Sequence, residues 1–341
     1  MQEKISIVSL LPEEISSALN LSPAFRGKQI FKWISKGVQS FDEMTNIDKA
    51  TRELLKEKAT LRTSKVSQVL KDPDGTIKLQ ITLFDNLAIE TVLLTDKEGR
   101  KTACVSSQAG CAMGCAFCQT GQLGLARNLT AGEIIEEFFY MEKEAGTLDN
   151  IVFMGMGEPM QNLKEIRKAL DVLTHKEGRA LSSRRITLST SGLTKGIYDL
   201  ADNGPGLRLA VSLTTADSEL RESLMPVTKG NPLPELKKAI AYYIKKTGKR
   251  VTLEAALLSG QNTSEQSAKR MVEFAKGLDV YINLIPWNPV PGLDFKTPSS
   301  SECKFFIQYL EKNGLNVNLR TRRGTKIGGA CGQLGRTKEK I

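Results

Sequence analysis

Three of the six cysteines fall within eight residues, as Cys111-Ala112-Met113-Gly114-Cys115-Ala116-Phe117-Cys118. This C-x3-C-x2-C run comes just after a predicted strand, so its thiolates sit on one short loop. Such a loop can ligate three irons of a [4Fe–4S] cluster and leave the fourth iron open to a substrate. Zinc is the competing reading, but it wants a fourth ligand and usually takes two C-x2-C pairs. Three free buried cysteines at this density would be unusual. An even count also allows three disulfides, but a large chain without a secretory signal is the wrong setting for them. The single histidine, His175, rules out a zinc site with several His ligands and leaves one candidate for any Ser-His-Asp triad. It reads as a solvated residue at a helix end.

Other residues carry chemistry by position. Gly155-Met156-Gly157-Glu158-Pro159 follows the predicted strand Ile151–Met154. Glycines there let a ligand approach the backbone, and Glu158 could accept from an ammonium, although a tight turn would look the same. Cys331 lies among glycines in Gly328-Gly329-Ala330-Cys331-Gly332, which predicts a mobile, poorly packed and chemically available thiol. Cys104 precedes the cluster motif by seven residues, and Cys303 reads as structural. Glu90, in Ile89-Glu90-Thr91-Val92, reads by itself as a strand glutamate on a solvated face.

Alternating elements must position these residues. Strands are predicted at Ala103–Ser106, Ile151–Met154, Ile186–Ser189, Leu207–Leu213, Val251–Leu257, Val280–Ile285 and Val317–Arg320. Between them lie helical periods at Ala131–Lys143, Leu163–Thr174, Pro234–Lys246, Ser264–Lys276 and Ser299–Asn313. Strand, helix, strand at this spacing argues for an α/β fold of parallel βαβ units, as a barrel or an open sheet. Upstream, Val66–Leu70, Ile77–Phe84 and Ile89–Leu94 form a β-meander with turns at Asp72–Gly75 and Asp85-Asn86. Residues 1 to about 65 look helical and independent, and the tail from Lys326 reads as a loop and a loose end.

The 341 residues, 40% apolar and 25% charged, exclude disorder and collagen-like repeats. No run approaches the roughly 18 apolar residues of a membrane span, and Met1-Gln2-Glu3-Lys4 is no secretory signal, so a cytoplasmic protein without membrane contact is expected. A net charge of +10 suits a polyanionic partner such as nucleic acid, or is the ordinary basicity of many bacterial proteins. Lys28, Lys32, Lys36, Arg52, Lys56 and Lys58 offer a phosphate-binding surface, or a solvated helical face.

The cysteine spacing, with an aromatic before the last Cys and Gly155–Pro159 downstream, resembles the radical S-adenosylmethionine (SAM) superfamily. Val105–Cys111, Arg127–Ile134, Phe153–Pro159, Arg184–Gly192, Asn283–Pro289 and Ala330–Leu334 are similar to the RlmN/Cfr family of RNA methyltransferases, from about residue 20 to 335. The resemblance implies a radical-SAM partial (βα) barrel over 102–341, a helical RNA-binding domain over 1–65 and a β-meander linker over 66–101. It implies methylation of carbon 2 of an adenosine in 23S rRNA, with tRNA as a further target in some members. Carbon 8 is the alternative within the family, and a non-catalytic RNA-binding paralogue the alternative outside it. One [4Fe–4S] cluster, two SAM molecules per methylation, a flavodoxin-like one-electron reductant and a monomeric state come with it.

Residue by residue, the resemblance puts the cluster on Cys111, Cys115 and Cys118. Cys331 takes a methyl from one SAM; a second SAM yields a 5′-deoxyadenosyl radical that abstracts hydrogen from it, and the carbon adds to the adenine. Glu90 removes the ring proton, and Cys104 attacks Cys331 so that a disulfide releases the RNA. Gly157, Glu158, Ser189, Ser212, Leu213, Thr214 and Asn288 match SAM-contacting positions. Two departures stand out. Thr214 replaces a histidine, and a threonine cannot carry charge. Gly324-Thr325-Lys326-Ile327-Gly328-Gly329 replaces an acidic stretch, which predicts a looser loop with altered electrostatics.

Overall fold

The computed structural model describes residues 4–335. The first part is helical, with helices Pro12–Ala18, Phe25–Ile34 and Lys49–Lys58, and two short strands, β1 (Ile5–Ser6) and β2 (Ala59–Thr60), paired in parallel. Next come β3 (Lys65–Lys71), β4 (Ile77–Thr82), β5 (Ala88–Thr95) and β6 (Lys101–Cys104), a meander in which each strand pairs antiparallel with the one before. Its tight turns follow from their residues. Asp72 accepts from the Asp74 N–H, and Gly75 and Asn86 take the positive φ that the turns require.

β7 (Gln108–Cys111) and β8 (Gly124–Asn128) form a separate antiparallel ribbon. The main sheet continues with β9 (Asn150–Phe153), β10 (Ile186–Thr190), β11 (Arg208–Ser212), β12 (Val251–Leu257), β13 (Val280–Pro286) and β14 (Val317–Leu319). The ten strands run in the order β14-β13-β12-β11-β10-β9-β6-β5-β4-β3, parallel from β6 to β14. The sheet is open, an α/β partial barrel. Helices between the parallel strands cover it with apolar stripes, as in Leu163–Thr174, where Leu163, Ile166, Ala169, Leu170 and Leu173 are buried.

The meander is part of this sheet, because β6 pairs antiparallel with β5 and parallel with β9. The helical region is not independent either: Ile7, Ile30, Phe31 and Leu55 belong to the same buried cluster as Phe138, Leu188 and Ile282. A buried carboxylate fastens the two parts. Glu136, on the helix Ala131–Ala145, accepts from the N–H and hydroxyl groups of both Thr63 and Ser64. His175 is half-buried and meets Phe31 edge-on at 5.0 Å, so it is not the solvated residue the sequence suggested. No helix among the described residues is long and apolar enough to cross a membrane.

Candidate active site

The loops after the parallel strands gather at one end of the sheet, where α/β folds place their ligands. Cys111 ends β7, and Cys115 and Cys118 follow on the loop that β8 closes. Gly110 makes this ribbon possible, since it takes φ +82° and a Cβ there would lie 2.0 Å from the Gly124 carbonyl oxygen. The loop is held from three sides. Ala116 N–H donates to the Leu224 carbonyl at 2.9 Å, the Trp287 indole N–H to the Phe117 carbonyl at 2.9 Å, and Gln119 N–H to the Gly332 carbonyl at 2.8 Å. Burial pushes all three thiols up, Cys111 to about 11.

The last of these bonds ties the cluster loop to the loop of Cys331. Thr120 Oγ1 also donates to the Leu334 carbonyl at 2.7 Å, and Asn288 Nδ2 to the Cys331 carbonyl at 3.0 Å. The expected mobility of this loop is therefore not observed. Nor is the loosening expected from its lost acidic residues, because the meander turn supplies carboxylates instead. Asp74 accepts from Gly324 N–H at 2.8 Å and Asp72 from Lys326 N–H at 3.1 Å. The tail beyond Gly335 lies outside the described residues.

Cys104, Cys331 and Asn288 line one cavity of about 730 Å³, which Arg320 and Arg322 also line. Cys331 is exposed to it, whereas Cys104 is buried in its wall. Burial pushes the Cys104 thiol up to about 12 and that of Cys331 up to about 11. All six cysteines are free, including Cys303, buried in the helix Ser300–Lys312.

Glu90 is not solvated. It is buried, with Lys78 Nζ at 2.8 Å and the Gly335 N–H donating to its other oxygen at 2.7 Å. Lys78 also donates to the Gly328 carbonyl at 3.2 Å, so the buried pair grips the Cys331 loop at both ends. Glu90 thus stands behind this loop rather than in the cavity wall. Sequence reasoning missed Lys78. The signal available was a lysine on the polar face of β4, one strand away from a glutamate.

The positions matched to SAM contacts surround the same strand ends. Glu158 is buried and accepts from Ser191 N–H and Oγ, both at 2.7 Å, and from Met160 N–H at 3.0 Å. Gly155 and Gly157 serve the chain's own packing, since Cβ atoms there would lie 2.7 Å from the Val105 carbonyl oxygen and 2.6 Å from Gln108 Cβ. Ser189 lies on β10 and Ser212 ends β11. The Leu213 side chain is fully buried. Thr214 is buried with φ +59°, its N–H on the Glu254 carbonyl at 3.1 Å and its own carbonyl taking Asn262 Nδ2 at 2.9 Å.

Residues 105–272 match the model of the Radical SAM superfamily, and residues 21–61 that of the ribosomal RNA large subunit methyltransferase N-terminal domain. A probable dual-specificity RNA methyltransferase RlmN from Treponema denticola is 61% identical over 98% of this chain and 96% of its own length. One of the same description from Treponema pallidum is 51% identical over 97% of this chain and 98% of its own. The chain belongs to the RlmN family of radical SAM RNA methyltransferases. A crystal structure of a radical SAM methyltransferase from Sphaerobacter thermophilus matches with a TM-score of 0.93 at 39% identity, covering 97% of this chain and 99% of that one.

RlmN-family membership makes the chain a SAM-dependent RNA methyltransferase that uses SAM and an iron–sulfur cluster. The residues present fit both. Cys111, Cys115 and Cys118 share one short loop, and Cys111 and Cys118 are near enough to bias the ionisation of Cys115, which suits thiolates that each take a different iron of one cluster. Asn288 Oδ1 and Glu254 Oε2 are buried acceptors without a hydrogen-bond partner, which suits the ammonium and hydroxyl groups of SAM.

Proposed function

We propose that this chain methylates carbon 2 of an adenosine in 23S rRNA, and also in tRNA, through a methyl group carried on Cys331. The observation that carries the reading is that Cys104 and Cys331 share the wall of one cavity, on a loop bonded to that of Cys111, Cys115 and Cys118. The description of the treponemal relatives as dual-specificity supports two RNA substrates, and the N-terminal match to ribosomal RNA methyltransferases supports rRNA as one.

A ring amidine carbon is not nucleophilic, so it cannot take a methyl group from SAM by displacement, and a covalent route through a thiol divides the step. Cys111, Cys115 and Cys118 would hold a single [4Fe–4S] cluster, which, fed by a flavodoxin-like reductant, would supply one electron to SAM. Cys331 sulfur accepts the methyl of one SAM, and a second is consumed in removing a hydrogen atom from that methyl. Its carbon then joins the adenine, so that Cys331 and RNA are linked. Glu90 takes the ring proton, once the Gly335 end of the loop lets its carboxylate reach the cavity, and the odd electron of the adduct goes back to the electron carrier. Cys104 attacks the Cys331 sulfur; an S–S bond forms, the S–C bond breaks, the released carbon takes up a proton, and methylated RNA leaves. Gly157, Glu158, Ser189, Ser212 to Thr214 and Asn288 hold SAM.

Cys104→Ala tests this sequence, because it removes only the release step. Under turnover with RNA, the variant should accumulate a protein–RNA adduct at Cys331 that survives denaturing electrophoresis. Normal turnover by Cys104→Ala would overturn the two-cysteine route.

A further inference from the structure

Arg221 carries a positive charge that none of the ion pairs among the described residues answers. It is the largest fully buried side chain of the molecule, on the short helix Ser218–Leu224. Four of the five guanidinium N–H groups are spent on neutral acceptors. Nε donates to the Leu213 carbonyl at 3.0 Å and Nη1 to Thr228 Oγ1 at 2.7 Å. Nη2 donates to the carbonyls of Ser191 at 2.8 Å and Ser212 at 3.0 Å. Neutral donors could satisfy those same oxygens, whereas a buried charge without a counter-ion is among the costliest things a fold can hold.

The helix that carries Arg221 packs on the cysteine loop. Leu224, at the end of the Arg221 helix, accepts from Ala116 N–H, and the ring of Pro226 lies 3.8 Å from where a Gly114 Cβ would stand. Cys115 and Phe117 pack on the apolar group of Leu224, Met225, Leu258, Trp287 and Val290. Burial lowers the Arg221 guanidinium to about 10, and Cys115 is the one charge that acts against this. Glu158 sits on the other side of Ser191, whose N–H and hydroxyl it takes, and forms no ion pair with Arg221 among the described residues.

We propose that Arg221 is the fixed counter-ion of the iron–sulfur centre held by Cys111, Cys115 and Cys118, and that it raises the reduction potential of that centre. The inference rests on the function proposed above. Reduction makes the centre one unit more negative, so a nearby fixed cation favours the reduced state. Arg221 is a positioning residue: it acts through the centre and touches no substrate.

The test uses anaerobically purified wild-type, Arg221→Met and Arg221→Lys proteins. Iron and sulfide per chain are measured first, then the potential of the centre by spectroscopic redox titration without SAM. Arg221→Met is expected to titrate at a lower potential than wild type. Arg221→Lys, which keeps the charge but not the hydrogen bonds, should stay near wild type. An unchanged potential in iron-replete Arg221→Met would overturn the proposal, and so would an equal shift in both variants, which marks a hydrogen-bond scaffold. A change confined to SAM affinity overturns it in favour of a role at the SAM carboxylate. If Arg221→Met loses its iron, Arg221→Lys decides: full iron at the wild-type potential supports the charge, and equal loss overturns it. A wild-type protein without an iron–sulfur centre would remove the functional reading itself, and this proposal with it.

Discussion

Cys331 joins two properties that a sequence cannot separate: the residue reaches the surface, yet the surroundings of its thiol keep it protonated. Glycines on both sides announced availability, but the bonds to Gln119, Asn288 and Glu90 that fix the loop come from segments 43 to 245 residues away. With the Cys331 thiol raised to about 11 by burial, little thiolate exists at neutral pH. Iodoacetamide labelling of Cys331 in the reduced, metal-free protein should therefore rise roughly tenfold per pH unit between about pH 7 and 10. A plateau below pH 9 would contradict this. Glu90 shows the same limit of legibility. Its strand was evident, but its partner Lys78 depends on the register Gln80–Glu90, which sets the two charges diagonally across one sheet face.

At the scale of elements, the helix Ser300–Lys312 is fixed by one carboxylate. Glu302 accepts from Ser299 N–H at 2.8 Å, closing a capping box, and also from Ser259 Oγ at 2.9 Å and Thr263 Oγ1 at 2.7 Å. These bonds hold its carboxyl down at about 2, against an ordinary value of 4.5. A lowered folded-state pKa means that the stabilisation is complete above about pH 4.5 and is lost as the pH falls toward 2. Glu302→Gln should destabilise the protein by about 1 kcal/mol at neutral pH and flatten the acid limb of its stability, as urea titrations between pH 2.5 and 7 would measure. An unchanged acid limb would refute the assignment. The strands and the long helices were readable because apolar periodicity is a local signal. Helix Thr194–Asn203 was not assigned, and the N-terminal helices looked independent because the Glu136 contacts that join them to the barrel span more than 70 residues.

The whole molecule places its excess charge unevenly. Several of the N-terminal lysines are engaged within the protein: Lys32 pairs with Glu177 at 3.1 Å, Lys56 with Asp42 at 2.7 Å, and Lys36 lies over the Trp33 ring. Arg322, by contrast, is an exposed residue in no ion pair among the described residues, and it lines the cavity that holds the two cysteines. Phosphate contacts release counter-ions, so each one adds about one unit to the slope of log affinity against log salt. Arg322→Ala should weaken RNA binding for every sequence tested and lower that slope by about 1, as filter binding across a salt series would show. An unaltered slope would place the phosphate path elsewhere. Net charge made a nucleic-acid partner conceivable, whereas the gathering of Arg320, Arg322 and Arg323 around the cysteine cavity was set by the fold and not legible in the sequence.

The central claim is that this cavity delivers a methyl group to carbon 2 of adenosine in RNA. Nucleoside mass spectrometry of rRNA and tRNA, from cells lacking their own enzyme and supplied with this gene, tests it most directly. The account predicts 2-methyladenosine in both RNA fractions, absent when Cys331 is replaced by alanine. Appearance of 8-methyladenosine, or of neither base from soluble protein with its cluster intact, would contradict it.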